Sequence, residues 1–593
     1  MEVRIPHSFP SCLATLNHQR NATALTRKHT KRGKQCLSVL PSFIIVSAKF
    51  NETQVNQRRS ANYHPSIWDQ KLIESFTTPF SYEIHATRLE GLKKDVKTLL
   101  NSTKDQSVLL RLIDSMQRLG VAYHFEQEIE EVLKFQRPDV TSDLYTAALH
   151  FRILRERGFP VSSDVFEKFR SRDGRFIDSL SRDVEGLLSL YEASHLRMHG
   201  ENILEEARDF SIKNLNLLME KLDSNSAKKV KQSLEIPLYW RMPRVEARKF
   251  IDVYQKDNTK NLTLLELAKL DYNLVQSVYQ QELKELERWW RDLGFKDKLT
   301  FSRDRVMENY MWAVGIIFEP QFSKCRIGLT KFVCILLVID DMYDVYGLLD
   351  ELECFTDAVK RWEMKAMEDL PEYMKICYVA ILNFANEMAG DVIKDHGLNI
   401  LTYLIEEWAT LCRSHLAEAK WFYNGYIPTV GEYLENSCVS VGGPAAMFHA
   451  YILLGCTLTK NSIDCFKNGT EIIYWSSIIT RLSDDLGTSE AESKRGDVAK
   501  SIHCYMVREG ITEAQAKQCV KELINYSWKK LNKESAKNSL PRSMVNMSLN
   551  MARTAQCIYQ HGDGIGTSTG AIKDHLTSLI VKAIPIEETC STI

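Results

Sequence analysis

The sequence predicts an all-α fold, and three observations predict it. Glycine and proline are scarce, at 26 and 15 of 593 residues, which favours long helices over turn-rich β structure. Leu109, Leu112, Ile113, Met116 and Leu119 recur at steps of three and four, the apolar stripe of a helix. Leu264, Leu267, Leu270 and Leu274 repeat that spacing at the start of a second long stretch.

Taken in chain order, residues 1–50 carry eight Lys/Arg against one acid, Glu2, while the other 543 hold 68 basic and 76 acidic residues. An acid-poor leader containing Arg, Lys and Ser reads as an organellar transit peptide, with cleavage expected between 45 and 57. The rival is a basic arm that binds nucleic acid. No basic stripe or nucleic-acid motif follows it, so no nucleic-acid partner is expected. Gly120 offers a stop for the first helix. The polar run 255–261 is a candidate linker, which divides the chain into 58–258 and 259–593. No apolar stretch approaches the ~18 residues that span a bilayer, and no membrane partner is expected. The 14 cysteines show no CxxC or framework spacing and read as reduced thiols.

The C-terminal half holds two acidic clusters. Asp340, Asp341 and Asp344 follow the apolar run from Phe332 to Ile339. Asp484, Thr488 and Glu492 come about 140 residues later, at steps of four. Residues four apart on an α-helix lie almost one above another, roughly 6 Å along the axis. Each cluster therefore reads as a row of oxygen ligands on one helix face. Carboxylate and hydroxyl oxygens suit Mg²⁺ or Mn²⁺. Mg²⁺ takes few protein ligands and completes its shell with water and phosphate, so incomplete rows imply a phosphorylated substrate. Alone, an acidic row is usually a solvated face. Here an apolar run leads straight into Asp340, and Arg303, Arg305, Arg481 and Lys500 stand where an anion would need cations. Arg grips phosphate oxygens with a planar fork and Lys acts as a point charge. Gly442-Gly443-Pro444 should interrupt a helix between the clusters.

At these residues the chain resembles the plant class I terpene synthases, in the angiosperm group that includes monoterpene and isoprene synthases. The carriers are DDxxD at Asp340–Asp344, the second metal motif at Asp484, Thr488 and Glu492, and Arg303-x-Arg305. The block from Arg58 and Arg59 to Trp68, Leu190–Ser194, Phe318-Glu319-Pro320, Glu418–Trp421 and His561-Gly562-Asp563 also match. The likeness runs from about residue 58 to about 585.

The resemblance implies an N-terminal helical barrel-like domain and a C-terminal class I terpenoid synthase α-bundle. It implies three Mg²⁺ or Mn²⁺ ions, with Asp340, Asp344, Asp484, Thr488 and Glu492 as ligands. Asp340, Asp344, Arg303 and Arg481 would be catalytic. Those four, with Asp484, Arg305, Lys500, Trp312 and Tyr559, would contact a prenyl diphosphate. The Arg58/Arg59 segment would fold over the closed site. The implied reaction is ionisation of geranyl diphosphate to a cation that ends as a cyclic or acyclic C10 product. The alternatives are an isoprene synthase using dimethylallyl diphosphate, a sesquiterpene synthase using farnesyl diphosphate, or a non-catalytic helical scaffold. Thr488, in the place of a third Asp, argues against chain elongation. Thr480 and Lys500 depart from the Phe and Asn that mark isoprene synthases, and no DxDD motif appears. A plastid stromal enzyme, monomeric or weakly dimeric, is expected.

Overall fold

A computed structural model describes residues 58–134, 143–469, 471–537, 540–567 and 570–586. The leader expected at residues 1–50, with its cleavage zone, lies outside the described residues. Among those described, the chain is helical, and the one β feature is an isolated bridge between Arg170 and Phe176.

The helices start where the sequence supplies caps. Ser81 caps α1 (Tyr82–Ser102), Asp105 caps α2 (Gln106–Arg118) and Asp143 caps α3 (Leu144–Glu156). Each side chain accepts from a backbone N–H of the first turn that would otherwise lack a partner. The stripe on α2 is buried from Leu109 to Met116. The helix stops at Gly120, whose φ of +75° suits glycine. α3 packs on α4 (Val184–Ser194), and α4 on α5 (Asn202–Leu218).

After α6 (Pro243–Gln255), the 255–261 run, read as a candidate linker, forms a short turn closed by Asp257 bonded to Thr259 and Asn261 capping the next helix. That helix, α7 (Leu262–Leu293), buries Leu264, Leu267, Leu270 and Leu274. It joins the two halves, packing on α1 on one side and on α8 (Val306–Ile316) and α9 (Ser323–Asp341) on the other. Glu282 of α7 takes a buried bidentate pair from Arg326 of α9 (2.7 and 2.9 Å) and a 2.6 Å bond from Tyr310 of α8. Such a pair adds little net stability but fixes how the helices register. The main apolar core runs from Trp68 to Ile584 and spans both halves, beside a small separate cluster around Leu187 and Leu215.

The C-terminal half continues with α10 (Leu349–Arg361), α11 (Glu372–His396), α12 (Leu401–Tyr423), α13 (Val430–Ser440), α14 (Gly443–Leu453), α15 (Glu471–Arg495), α16 (Ser501–Glu509), α17 (Glu513–Lys537) and α18 (Arg542–Tyr559). With α8 and α9, three of these close a ring: α8 packs on α9, α9 on α14, α14 on α15, α15 on α18, and α18 back on α8. The ring surrounds the site. Contrary to the sequence reading, α11 is long and apolar enough to cross a membrane by length and composition. Residues such as Met374, Tyr378, Ile381 and Phe384 bury its apolar face in the bundle.

Candidate active site

Inside the ring is a cavity with an apolar floor and a charged mouth. Trp312, Phe332, Leu336, Ala446, Met551 and Tyr559 line its depth. Asp340 and Asp344 face Asp484, Thr488 and Glu492 around its mouth, with Arg303, Arg481, Arg495 and Lys500 among them. The two rows predicted from sequence therefore meet across one space.

The first row departs from the predicted geometry. α9 ends at Asp341, and Met342–Tyr346 forms a π turn closed by a 2.7 Å bond from Gly347 N–H to the Met342 carbonyl. A Cβ at Gly347 would sit 2.9 Å from that carbonyl oxygen, so glycine permits the closure. The wider turn rotates Asp344 back relative to an α continuation. The second row does ride one continuous helix, α15.

Each DD pair divides its labour. Adjacent helical residues point about 100° apart, so one aspartate faces the cavity and its neighbour turns inward. Asp341 and Asp485 are both fully buried. Asp341 accepts from the Arg303 backbone N–H at 2.8 Å and from the Ser302 hydroxyl at 3.0 Å. Asp485 accepts from Tyr433 (2.9 Å), Arg481 Nε (2.8 Å) and the Ser501 N–H (3.1 Å). The outer partners meet the same arginines. Arg303 reaches Asp340 at 2.6 Å, and Arg481 bonds Asp484. Lys500 lies 3.3 Å from Asp344 and 3.6 Å from Glu418.

The carboxyls are electrostatically divided. Burial, with Asp340, Glu418 and Asp497 nearby, pushes Asp344 up to about 7 despite Lys500. Burial also works to raise Asp340, but Arg303 and the other cations outweigh it and hold that carboxyl below its ordinary value. Burial raises Glu492. Asp344 Oδ1 and Glu492 Oε2, one from each row, are buried without a hydrogen-bond partner. Unpaired buried carboxylate oxygens cost on the order of 1–3 kcal/mol, and a divalent cation would relieve both. The donor set fits such an ion.

Trp312 and Tyr559 stand where expected, with ring centroids 6.3 Å apart in the cavity wall. Arg305 does not. It is buried, and its guanidinium donates to the carbonyls of His64, Asp304, Ile565 and Gly566. Those four acceptors occupy the fork that the sequence reading assigned to diphosphate, so Arg305 fastens the rim instead. The helix break falls as predicted. α13 ends at Ser440, Gly442 has φ +79°, and Pro444 opens α14.

The N-terminal segment lies across the mouth. Arg58 makes a bidentate pair with Glu351 (2.7 and 2.8 Å). Arg59 pairs with Asp497 at 2.6 Å and donates to the Asp344 carbonyl at 3.2 Å. Sequence reasoning placed Tyr63 in the matching Arg58–Trp68 block but gave it no site role, although it lies 4.9 Å from the Arg303 guanidinium, and it missed the rim residues Arg495 and Asp497. Their position just beyond the second row was the available signal. It also missed His415 of α12, one ring nitrogen of which lies within 4.8 Å of oxygens from Asp340 and Asp344. A lone histidine inside an apolar helix gave no signal.

Comparison with known proteins defines the class. The family model "Terpene synthase family, metal binding domain" matches residues 291–530, a span that contains both acidic rows, and "Terpene synthase, N-terminal domain" matches 67–234. The chain belongs to the terpene synthase family, whose members are lyases acting on diphosphate substrates. It is 57% identical to probable terpene synthase 9 of Ricinus communis over 98% of this chain and 100% of that one. It is 56% identical to the chloroplastic trans-ocimene synthase of Litsea cubeba over 89% and 91%. Among solved structures, limonene synthase with 2-fluorolinalyl diphosphate matches at TM-score 0.86 and 40% identity, covering 89% of this chain and 100% of that one. Isoprene synthase from grey poplar, in complex with three Mg²⁺ ions and dimethylallyl-S-thiolodiphosphate, matches at TM-score 0.81 and 41% identity, covering 88% and 99%.

Proposed function

We propose that this chain is a monoterpene synthase that ionises geranyl diphosphate and releases diphosphate with a C10 product. The observation that carries the proposal is two opposed acidic rows, each with an unpaired buried oxygen, above an aromatic-walled apolar cavity. The likeness to trans-ocimene synthase supports the C10 assignment. Thr480, on the cavity wall where isoprene synthases carry Phe, favours it over the C5 alternative.

Asp340, Asp344, Asp484, Thr488 and Glu492 would hold the divalent ions, three Mg²⁺ or Mn²⁺ by analogy with the isoprene synthase complex. Bound there, the ions supply Lewis-acid stabilisation of charge developing on the leaving group. Arg303, Arg481 and Lys500 are now neutralised by Asp340, Asp484 and Asp344. A diphosphate entering the mouth competes for those cations, which then stabilise it as it departs. The organic cation left behind needs a dry, electron-rich wall. Trp312 and Tyr559 offer ring faces worth about 0.5–2 kcal/mol each to a nearby positive charge. The segment carrying Arg59 and Tyr63 excludes water from above.

The division at residues 258 and 259 assigns the N-terminal helices a scaffold and capping role and the C-terminal bundle the chemistry. The basic leader directs the enzyme to the plastid stroma, in keeping with the relatives named chloroplastic. Incubating the chain from Arg58 onward with C5, C10 and C15 diphosphates and analysing volatiles tests the assignment. Turnover confined to the C5 or C15 substrate refutes it.

A further inference from the structure

The five ligand positions assigned above offer oxygen alone. We propose that His415 adds a nitrogen ligand to the ion held by Asp340 and Asp344, and that this position consequently prefers Mn²⁺ to Mg²⁺. The inference rests on the metal reading of the first acidic row.

Three observations converge on His415. A ring nitrogen, an Asp340 oxygen and an Asp344 oxygen all lie within 4.8 Å of one another. Octahedral ligands about 2.1 Å from an ion stand about 3 Å apart as neighbours and about 4 Å apart across it. Side-chain shifts of under about 1 Å would therefore bring the three atoms onto one ion. The imidazole is 1% exposed, and neither ring nitrogen has a hydrogen-bond partner. Leaving such a group unpaired costs on the order of 1–3 kcal/mol. The ring is held from behind, against the Tyr343 ring at 5.6 Å.

The surrounding charges suit ligation. An imidazole binds a metal through its neutral form. Glu418, one turn further along α12, is already bonded to Ser440 at 2.5 Å, to Asn436 at 3.1 Å and to Lys500. It leaves His415 as the unpaired donor that α12 presents to the row. Among divalent ions, imidazole favours the first-row transition series, whereas Mg²⁺ prefers oxygen throughout. One nitrogen in the set thus tilts the position toward Mn²⁺.

Electron spin-echo spectroscopy of Mn²⁺ bound substoichiometrically to the protein tests this directly. Nitrogen modulation should appear in the wild type and change from the ¹⁴N to the ¹⁵N pattern when histidine alone is ¹⁵N-labelled. It should vanish in His415→Phe, which keeps an aromatic ring against Tyr343. Calorimetry should show Mn²⁺ binding weakened about tenfold or more in that variant, and Mg²⁺ binding weakened less. Mn²⁺ that binds in an Asp340-dependent way without nitrogen modulation overturns the His415 assignment and leaves the acidic row intact. Mn²⁺ binding undiminished in Asp340→Asn removes the metal reading of the row, and the His415 ligand with it.

Discussion

At the scale of the residue, the two DD pairs show that neighbouring identical side chains can hold opposite posts. Asp340 and Asp484 face the cavity, while Asp341 and Asp485 hold Arg303, Arg481 and adjoining backbone in place. The sequence displays the acids but not this division, because it depends on which way the helix is rotated in the bundle. Arg305 illustrates the same limit. Its spacing from Arg303 puts it near the site, yet the 563–566 loop and His64 supply the carbonyls that claim it. Arg305→Met should therefore lower thermal stability by on the order of 3 kcal/mol through unpaired carbonyls, seen as a reduced Tm. Arg303→Met should reduce turnover about a hundredfold or more with a smaller change in Tm. Asp344 gives a pH prediction. Its carboxyl rises from 3.8 to about 7 in the metal-free fold, so the folded protein binds more protons than the unfolded chain between those values. This group's contribution to metal-free stability is thus present below about 4 and is lost as pH rises to about 7. Ion binding must displace the proton, so affinity should strengthen between pH 6 and 8. Calorimetry at pH 6.5 in buffers of different ionisation enthalpy should register proton release.

At the scale of the element, the helices announced themselves through apolar spacing, capping residues and breaks. The α2 stripe, the 255–261 turn and the Gly442–Pro444 interruption all fall where local chemistry puts them. The π turn after α9 was not legible, because DDMYD satisfies an α period equally well. Gly347, whose small size lets the wide turn close, was its trace. Close approach also governs the break between α13 and α14. A Cβ at Gly443 would meet Ser477 Oγ of α15 at 2.2 Å. Gly443→Ala should push α14 from α15, cost about 1–3 kcal/mol and alter the product spectrum, read by a thermal melt and gas chromatography of the volatiles.

For the whole molecule, the question is whether the halves are separable. α7 buries one face against α1 and another against α8 and α9, and the core has no seam at residue 258. The polar run at 255–261 is visible in composition, but the shared core is not, because it depends on long-range packing. Residues 259–593 alone should expose the face of α7 that packs on α1 and elute as aggregate in size-exclusion chromatography; a monomer with the parent's cooperative melt would refute that expectation. The mouth depends on the N-terminal half as well, through Arg58, Arg59 and Tyr63. Truncation to Ser60 should leave the melt nearly unchanged and shift products toward alcohols, as water reaches the cation.

The bonds of Arg59 to Asp497 and to the Asp344 carbonyl carry a further consequence for handling and maturation. Any protease that trims the amino end past Arg58 removes Arg59 and with it the closure over the mouth. Material trimmed on either side of that point would be a mixture with a single melting transition and two product profiles. A batch-to-batch change in terpene ratio should therefore be traced first by intact mass at the amino end.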